Sequence, residues 1–208
     1  MNTLSTYNWK KYREYTADRI RNSIVEWEPY WHVLIEDTLH PELFALVEQQ
    51  WPEFNHIDYY KNPDGFNQNR KYTPLETRHD LPFWQDYYKN IIDHPDIIDA
   101  VYSLESLENN CSGTTSSLWE DYRGYGVKNH YDGYTISVAW QSYVYCDGGE
   151  RWGTSINDKH GDEIKRFPFK PNLSWLMRVD ATSWHSCDEI ECDLRRSIMV
   201  RFMCKNRG

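Results

Sequence analysis

The 208-residue chain lacks several features that mark particular classes of protein. No apolar run approaches the roughly 20 residues needed to span a bilayer, and the first residues contain no apolar core of a signal peptide. Basic residues are in the minority, since 23 Lys and Arg face 32 Asp and Glu and give a net charge of -9. Binding to duplex nucleic acid needs a basic surface. We therefore expect a cytoplasmic protein that binds neither a membrane nor duplex nucleic acid.

Cysteine is also scarce and irregularly placed. The five cysteines are an odd number and include no CxxC pair. This pattern fits neither a disulfide framework nor a thiolate zinc site. We therefore expect reduced, buried thiols at Cys111, Cys146, Cys187, Cys192 and Cys204.

The first half of the chain predicts mixed structure. Aromatic residues make up 16% of the sequence, which is typical of a globular protein with a substantial core. Residues 31–35 form a short apolar run, and Pro41 follows at a position suited to the first turn of a helix. Residues 55–80 are polar and rich in turn formers, which predicts a long loop. Pro82 and Pro95 then predict the starts of two short helices.

From about residue 115 the periodicity changes to that of strands. Short segments rich in β-branched and aromatic residues are separated by Gly, Asn, Asp and Pro, as in "SSLWEDY", "YTISVAWQSYVYC", "LSWLMRV" and "RRSIMVRFMCK". Successive strands without intervening helices predict an antiparallel barrel or sandwich. We therefore expect one domain over residues 1–208, with mixed helical and strand support in 1–110 and a β core in 115–205.

The segment "NHYDGYTISVAW" places His130 and Asp132 two positions apart. Residues i and i+2 of a strand share a face, so the imidazole and the carboxylate can meet one ion. His185, in "SWHS", offers a third ligand from another strand. Two histidines and one carboxylate with open positions form the facial triad of non-haem Fe(II) oxygenases. The alternatives are a hydrogen-bonded surface pair at His130 and Asp132 and a core histidine at His185.

Arg195 and Ser197 share one face of the last predicted strand. A guanidinium binds a carboxylate through two hydrogen bonds and stays charged when buried, and a neighbouring hydroxyl adds a donor. The alternatives are a surface pair between Arg195 and Asp193, or Arg196 as the carboxylate-binding residue. Strand alternation favours Arg195, because Arg196 falls on the apolar face.

These motifs together resemble the 2-oxoglutarate and Fe(II)-dependent dioxygenases, most closely the prolyl-4-hydroxylase-like branch. The family order is matched over roughly residues 117–204 by "YRGYGVKNHYD", then "CDGGERWGT", then "SWHS", then "RRS". The stretch "PYWHVLIEDTLHPELFALVEQQWP" is similar to the strand and helix that open the fold in this branch.

The resemblance implies a mainly β fold with N-terminal helices and a double-stranded β-helix core of the jelly-roll or cupin type. It implies that His130, Asp132 and His185 bind Fe(II), and that Arg195, Ser197 and Tyr122 bind 2-oxoglutarate, although Tyr122 can equally be a core tyrosine. With O2 as the second cosubstrate, such an enzyme hydroxylates an unactivated C–H bond and releases succinate and CO2. The substrate would be a small molecule or a protein side chain.

The sequence departs from the family pattern at two points. Glycine follows Tyr122 at two positions instead of three, and Arg195 stands where prolyl hydroxylases usually have a lysine. Specificity for prolyl substrates therefore does not carry over. A zinc hydrolase that uses the same triad is one alternative, although it has no use for Arg195 and Ser197. A non-catalytic binding module that retains the barrel is another. The sequence leaves the oligomeric state open.

Overall fold

The computed structural model of the protein describes residues 7–54, 69–105 and 107–204. Within these ranges, eleven strands form two antiparallel sheets. The larger sheet has the order β1-β2-β9-β6-β11-β4-β3 and the smaller sheet has the order β5-β10-β7-β8. The strands of the larger sheet are β1 (Val25–Glu26), β2 (His32–Ile35), β3 (Arg70–Pro74), β4 (Cys111–Tyr122), β6 (Ile136–Cys146), β9 (Ser174–Arg178) and β11 (Leu194–Cys204). Those of the smaller sheet are β5 (Val127–His130), β7 (Ser155–Asn157), β8 (Glu163–Arg166) and β10 (His185–Cys187).

Four α-helices lie in the N-terminal part of the residues that the structure describes. They are α1 (Trp9–Arg21), α2 (Pro41–Gln49), α3 (Pro82–Tyr87), which continues as a π-helical turn over Tyr88–Ile92, and α4 (Pro95–Tyr102). The last three begin at a proline, as the sequence predicts, because proline at the first helical position loses no hydrogen bond. Helix α1, which was not predicted from the sequence, buries Trp9, Tyr12 and Ile20 on one face. None of the described helices is long and apolar enough to cross a membrane.

Strand β11 separates two hydrophobic cores through its alternating side chains. Ile198, Val200 and Phe202 face the core that includes the helices. Met199 faces the core between the two sheets, where it packs with residues such as Trp119 and Tyr143. The space between the sheets is therefore lined by the odd-numbered residues of β11, and this concave face carries the candidate site. The predicted mainly β fold with N-terminal helices is confirmed.

The predicted loop over residues 55–80 is wrong at its C-terminal end. Arg70–Pro74 forms β3, which pairs with β4 at the edge of the larger sheet, and Leu75–Thr77 forms a 3-10 turn. The segment "RKYTP" has no alternating apolar pattern, so the strand depends on its pairing with β4 and on the buried side chain of Arg70. Residues 55–68 of the same prediction lie outside the described residues.

We expect Phe202→Ala to lower the free energy of unfolding by about 3–5 kcal/mol, because it removes a fully buried aromatic ring from the core between the sheet and the helices. Tyr134→Ala is the control, since Tyr134 is 63% exposed and its loss should cost less than about 0.5 kcal/mol. Urea denaturation measures both. Equal costs for the two variants would contradict the assignment of Phe202 to this core.

Candidate active site

The two candidate histidine ligands are brought together by the smaller sheet. His130 ends β5 and His185 begins β10, and the two residues are cross-strand partners. Their ring centroids are 4.3 Å apart. A separation of 55 residues in sequence is therefore closed by strand pairing alone.

In both histidines, Nδ1 forms a hydrogen bond with a backbone carbonyl. His130 Nδ1 lies 2.9 Å from the carbonyl oxygen of Lys128, and His185 Nδ1 lies 2.9 Å from that of Ser183. A carbonyl can only accept, so each Nδ1 donates its proton, and in the neutral ring the lone pair then lies on Nε2. Burial lowers the pKa of His185, which favours the neutral, metal-binding form. Both rings are thus fixed in the tautomer that a metal requires.

Asp132 completes a group of three possible ligands. One ligand atom from each of His130, Asp132 and His185 lies within 4.8 Å of the other two, and His130 Nε2 is 3.8 Å from Asp132 Oδ1. Adjacent ligands around an ion with bonds of about 2.1 Å lie about 3 Å apart. The donor set fits a divalent transition metal, and binding would draw the three side chains closer together.

Strand β10 connects this group to Arg195. Cys187 follows His185 by two positions and shares its face of the strand, so their Cα atoms lie about 6.6 Å apart. Arg195 Nη1 donates to Cys187 Sγ at 3.0 Å and also to the carbonyl of Trp152. The guanidinium therefore contacts the residue that lies one strand repeat from His185.

Arg195 belongs to a buried cluster with Asp121 and Arg70. Arg195 Nε and Nη2 donate to Asp121 Oδ2 at 3.0 and 2.7 Å. Arg70 Nε donates to Asp121 Oδ1 and its Nη2 donates to Oδ2 at 3.0 Å. All three residues are at most 6% exposed. Two guanidiniums share one carboxylate, so the cluster keeps one surplus positive charge.

Opposing effects act on the pKa of the Asp121 carboxyl. Burial raises this pKa, but the charges of Arg70 and Arg195 and their hydrogen bonds outweigh burial and hold it below the ordinary value. Asp121 is therefore ionised at neutral pH. A buried net positive charge is costly without a counter-anion, so the cluster favours an anionic ligand.

Ser197 lies next to Arg195 on the concave face and is fully buried. Its Oγ accepts from Gln141 Nε2 at 2.9 Å. No acceptor for its own O–H lies among the described residues. The hydroxyl proton is thus available to a ligand beside Arg195.

The two alternatives for Arg195 and Arg196 can now be compared with the structure. Arg195 pairs with Asp121, whereas Asp193 pairs with Arg123. Arg196 lies on the outer face of the sheet, where its Nε donates to Glu120 at 2.9 Å.

The geometry around Tyr122 does not fit the role predicted for it. Tyr122 follows Asp121 on β4 and so faces the other side of the sheet, where its hydroxyl donates to Glu120 at 2.6 Å. Tyr125, three residues later, is the tyrosine beside the cluster. Its ring centroid lies 3.9 Å from Arg70 Cζ and 5.7 Å from Arg195 Cζ, and its buried hydroxyl has no hydrogen-bond partner.

Sequence reasoning missed Arg70, Asp121 and Tyr125. The available signal was an acidic side chain two positions after Trp119, on the same face of β4 as that tryptophan. A buried carboxylate requires cationic partners, but nothing in the sequence shows that one of them comes from β3.

All five cysteines are free thiols. Cys146, Asp147 and Cys192 form a second group of possible metal ligands, with the two sulfurs 3.6 Å apart. Burial, followed by the hydrogen bond from Cys146, raises the pKa of Cys192 to about 12. Asp147 Oδ1 already accepts from the backbone N–H groups of Asp193 and Leu194. This group is therefore a poorer ligand set than the histidine pair with Asp132.

We expect Asp121→Asn to lower the free energy of unfolding by about 3–5 kcal/mol at pH 7, because it leaves two buried guanidiniums without a counter-charge. The folded-state pKa of Asp121 is depressed, so its contribution is complete above the unfolded pKa of about 3.9 and is lost as the pH falls through the folded value. The loss of stability on acidification should therefore be smaller in Asp121→Asn than in the wild type. Urea denaturation at several pH values measures this difference.

Asp80→Asn is the control for this prediction. It makes the same chemical change in a salt bridge with Arg78 where the carboxylate is 64% exposed, so its cost should stay below about 1 kcal/mol. Equal effects of the two substitutions would contradict the role given to the buried cluster.

The fold is similar to that of solved structures, although the sequence is not. No family model matches the chain, and no curated protein matches it by sequence. Among solved structures, a prolyl hydroxylase from Trichoplax adhaerens, in complex with a peptide fragment of the hypoxia inducible factor oxygen degradation domain, has a TM-score of 0.64 at 14% identity. The match covers 97% of this chain and 94% of the Trichoplax chain.

Two bacterial structures agree. A Pseudomonas putida prolyl-4-hydroxylase has a TM-score of 0.58 at 12% identity, covering 92% of this chain and 95% of its own. An oxidoreductase of the 2OG-Fe(II) oxygenase family from Burkholderia pseudomallei has a TM-score of 0.55 at 9% identity, covering 98% and 93%. The predicted double-stranded β-helix is thus confirmed, and over nearly its whole length this chain has the fold of the 2-oxoglutarate and Fe(II)-dependent oxygenases.

Proposed function

We propose that the protein is an Fe(II)- and 2-oxoglutarate-dependent oxygenase that hydroxylates an unactivated C–H bond of a small molecule or of a protein side chain. The observation that carries this proposal is the histidine pair. His130 and His185 each have Nδ1 tied to a backbone carbonyl, so both Nε2 atoms remain free beside Asp132. Fixed histidine tautomers next to a carboxylate are the arrangement of a metal site.

His130, His185 and Asp132 would hold Fe(II) and leave the remaining positions open. When bound, the iron couples the reduction of O2 to the oxidative decarboxylation of 2-oxoglutarate, giving succinate, CO2 and a hydroxylated substrate. The protein's own share is to fix the reactants and to exclude water. The carboxylate of Asp132 would neutralise part of the charge of the metal and would be its third protein ligand.

The far carboxylate of 2-oxoglutarate would bind at the cluster of Arg70, Asp121 and Arg195. Its negative charge would neutralise the surplus positive charge there. Ser197 has a hydroxyl proton to donate, and Tyr125 has a buried hydroxyl without a partner. One anion would satisfy both groups, and leaving a buried polar group unpaired costs about 1–3 kcal/mol.

Aromatic residues pack next to the triad at the start of β10. Tyr131 packs edge-on against Trp184 with ring centroids 4.9 Å apart, and the hydroxyl of Tyr30 donates to the carbonyl of Trp184 at 2.9 Å. Trp184 directly precedes His185, so this contact also steadies the end of β10. His185 is buried, whereas the side chain of His130 is 40% exposed.

We expect Fe(II) and then 2-oxoglutarate, added without oxygen to the metal-free protein, to produce a visible charge-transfer band. His185→Ala should abolish the band because it removes one of three ligands, whereas His160→Ala, at an exposed histidine, should retain it. Asp132→Ala should abolish succinate formation. Absence of the band in folded wild-type protein, or turnover with zinc that ignores 2-oxoglutarate, would contradict the proposal and favour a zinc hydrolase.

We expect Ser197→Ala to raise the KM for 2-oxoglutarate about tenfold, since a hydrogen bond to a charged group contributes about 1.5 kcal/mol or more. The effect on kcat should be small, because Ser197 lies on the carboxylate side of the site and not beside the triad. Ser112→Ala, at an exposed position of β4, is the control and should change neither constant. Succinate release measures both constants. An unchanged KM would remove Ser197 from the cosubstrate site.

A further inference from the structure

A second arginine, Arg201, lies with Arg195 on the concave face of β11. Arg201 stands between Met199 and Met203, which pack against the core between the sheets, while Phe202 faces the helices. Alternation along the strand therefore directs Arg201 towards the space between the sheets. It is partly exposed there, six residues beyond Arg195.

The side chain of Arg201 leans towards Trp119. Its Cζ lies 5.5 Å from the centroid of the indole ring, and the guanidinium of Arg70 lies 3.7 Å from the same centroid. Such contacts hold a guanidinium near an aromatic ring without using its N–H groups. Arg201 is thus positioned on the concave face with its donors free.

The side chains of Arg201 and Trp119 are hydrogen-bond donors for which the described residues provide no acceptor. Among the described residues, Arg201 has neither an ion pair nor a hydrogen bond, in contrast to Arg70 and Arg195, which share Asp121. Trp119 is 8% exposed, and its Nε1 is buried without a hydrogen-bond partner. A guanidinium and an indole N–H can only donate, so only an acceptor can satisfy them.

Strand pairing places Arg201 across the interior from the histidine pair. Arg201 is the partner of Ala139 on β6, and Ala139 is the partner of Met177 on β9. Ala139 and Met177 pack in one core with Ile156 of β7. Ile156 is in turn the cross-strand partner of His185. The row of the larger sheet that carries Arg201 therefore lies across this core from the strands that carry the triad.

We propose that the substrate of this site carries an anionic group, a carboxylate or a phosphate ester, which binds Arg201 and the indole N–H of Trp119. This inference rests on the proposed oxygenase function, because it treats the space beside the triad as the substrate site. The cluster around Arg195 takes the cosubstrate, and the unpaired donors of Arg201 and Trp119 select the substrate. Neutral analogues of the same shape are bound more weakly.

The test uses three fluorinated probes of similar shape, 4-fluorobenzoate, 4-fluorophenyl phosphate and neutral 4-fluorobenzamide. Each is titrated by 19F NMR into the full chain loaded with Mn(II) and saturated with 2-oxoglutarate, so that the cosubstrate cluster is occupied. We expect at least one anionic probe to bind about tenfold more tightly than the amide. Paramagnetic broadening of its 19F signal by Mn(II) should show that it lies near the triad. The two anionic arms distinguish a carboxylate from a phosphate.

Arg201→Gln should abolish the preference for the anionic probe and leave binding of the amide unchanged. Trp119→Phe keeps the ring but removes the N–H, and should weaken the anionic probe a few-fold. Among the described residues Arg201 has no ion pair or hydrogen bond to lose, so thermal unfolding of Arg201→Gln should stay close to that of the wild type. Equal binding of the anionic and neutral probes to the wild type, or an unchanged preference in Arg201→Gln, would overturn the inference.

The same titration separates this inference from the proposed function. If the protein fails to bind Mn(II) with 2-oxoglutarate, the oxygenase proposal fails, and the probes are then titrated into the metal-free protein. In the protein loaded with Mn(II), an anion preference that depends on Arg201 but shows no paramagnetic broadening would overturn the substrate assignment. Normal binding of Mn(II) and 2-oxoglutarate without any anion preference would overturn the Arg201 site alone.

Discussion

The carboxylate of Asp121 is the group on which the candidate site depends. It lies fully buried between Arg70 of β3 and Arg195 of β11, and its own strand, β4, runs between these two in the sheet. One ion cluster therefore joins three neighbouring strands. A buried guanidinium is strongly unfavourable without a partner, and two of them become possible here only because one carboxylate accepts from both. The cluster orients the residues that would receive an anion and also fixes the edge strand.

The alternation of β11 explains how one strand serves both stability and chemistry. Its even-numbered apolar side chains pack under the helices, where Val200 and Phe202 are buried. Its odd-numbered side chains, which include Arg195, Ser197 and Arg201, line the concave face. A shift of one residue in register would exchange these two sets. The hydrophobic core beneath the helices therefore holds the polar residues of the site in place.

The sequence was sufficient to predict the residues whose relation is set by short spacing. Asp132 follows His130 by two positions, just beyond the end of β5, and Arg195 and Arg196 point to opposite faces of β11. His185 required the family pattern, because its pairing with His130 spans 55 residues. Residue spacing did not indicate which tyrosine lies beside the guanidiniums. The turn after β4 places Tyr125 there, and Tyr122 faces the other side of the sheet. No periodicity specifies such a turn. Arg70 was missed for a related reason, because β3 lacks a strand pattern and its position depends on a partner 51 residues away.

The charge distribution of the protein bears on how an anion would bind. The chain has a net charge of -9, while its concave face carries Arg70 and Arg195 on the carboxylate of Asp121, and Arg201 beside Trp119. At physiological ionic strength the Debye length is about 8 Å, so exterior carboxylates are largely screened from an approaching dicarboxylate, whereas buried charges are screened much less. Affinity would then be set inside the protein, and the acidic exterior would mainly affect the rate of arrival. Such local recognition benefits from groups that are already ordered. Asp121 provides that order for Arg70 and Arg195, while the contact of Arg201 within the described residues is with the ring of Trp119.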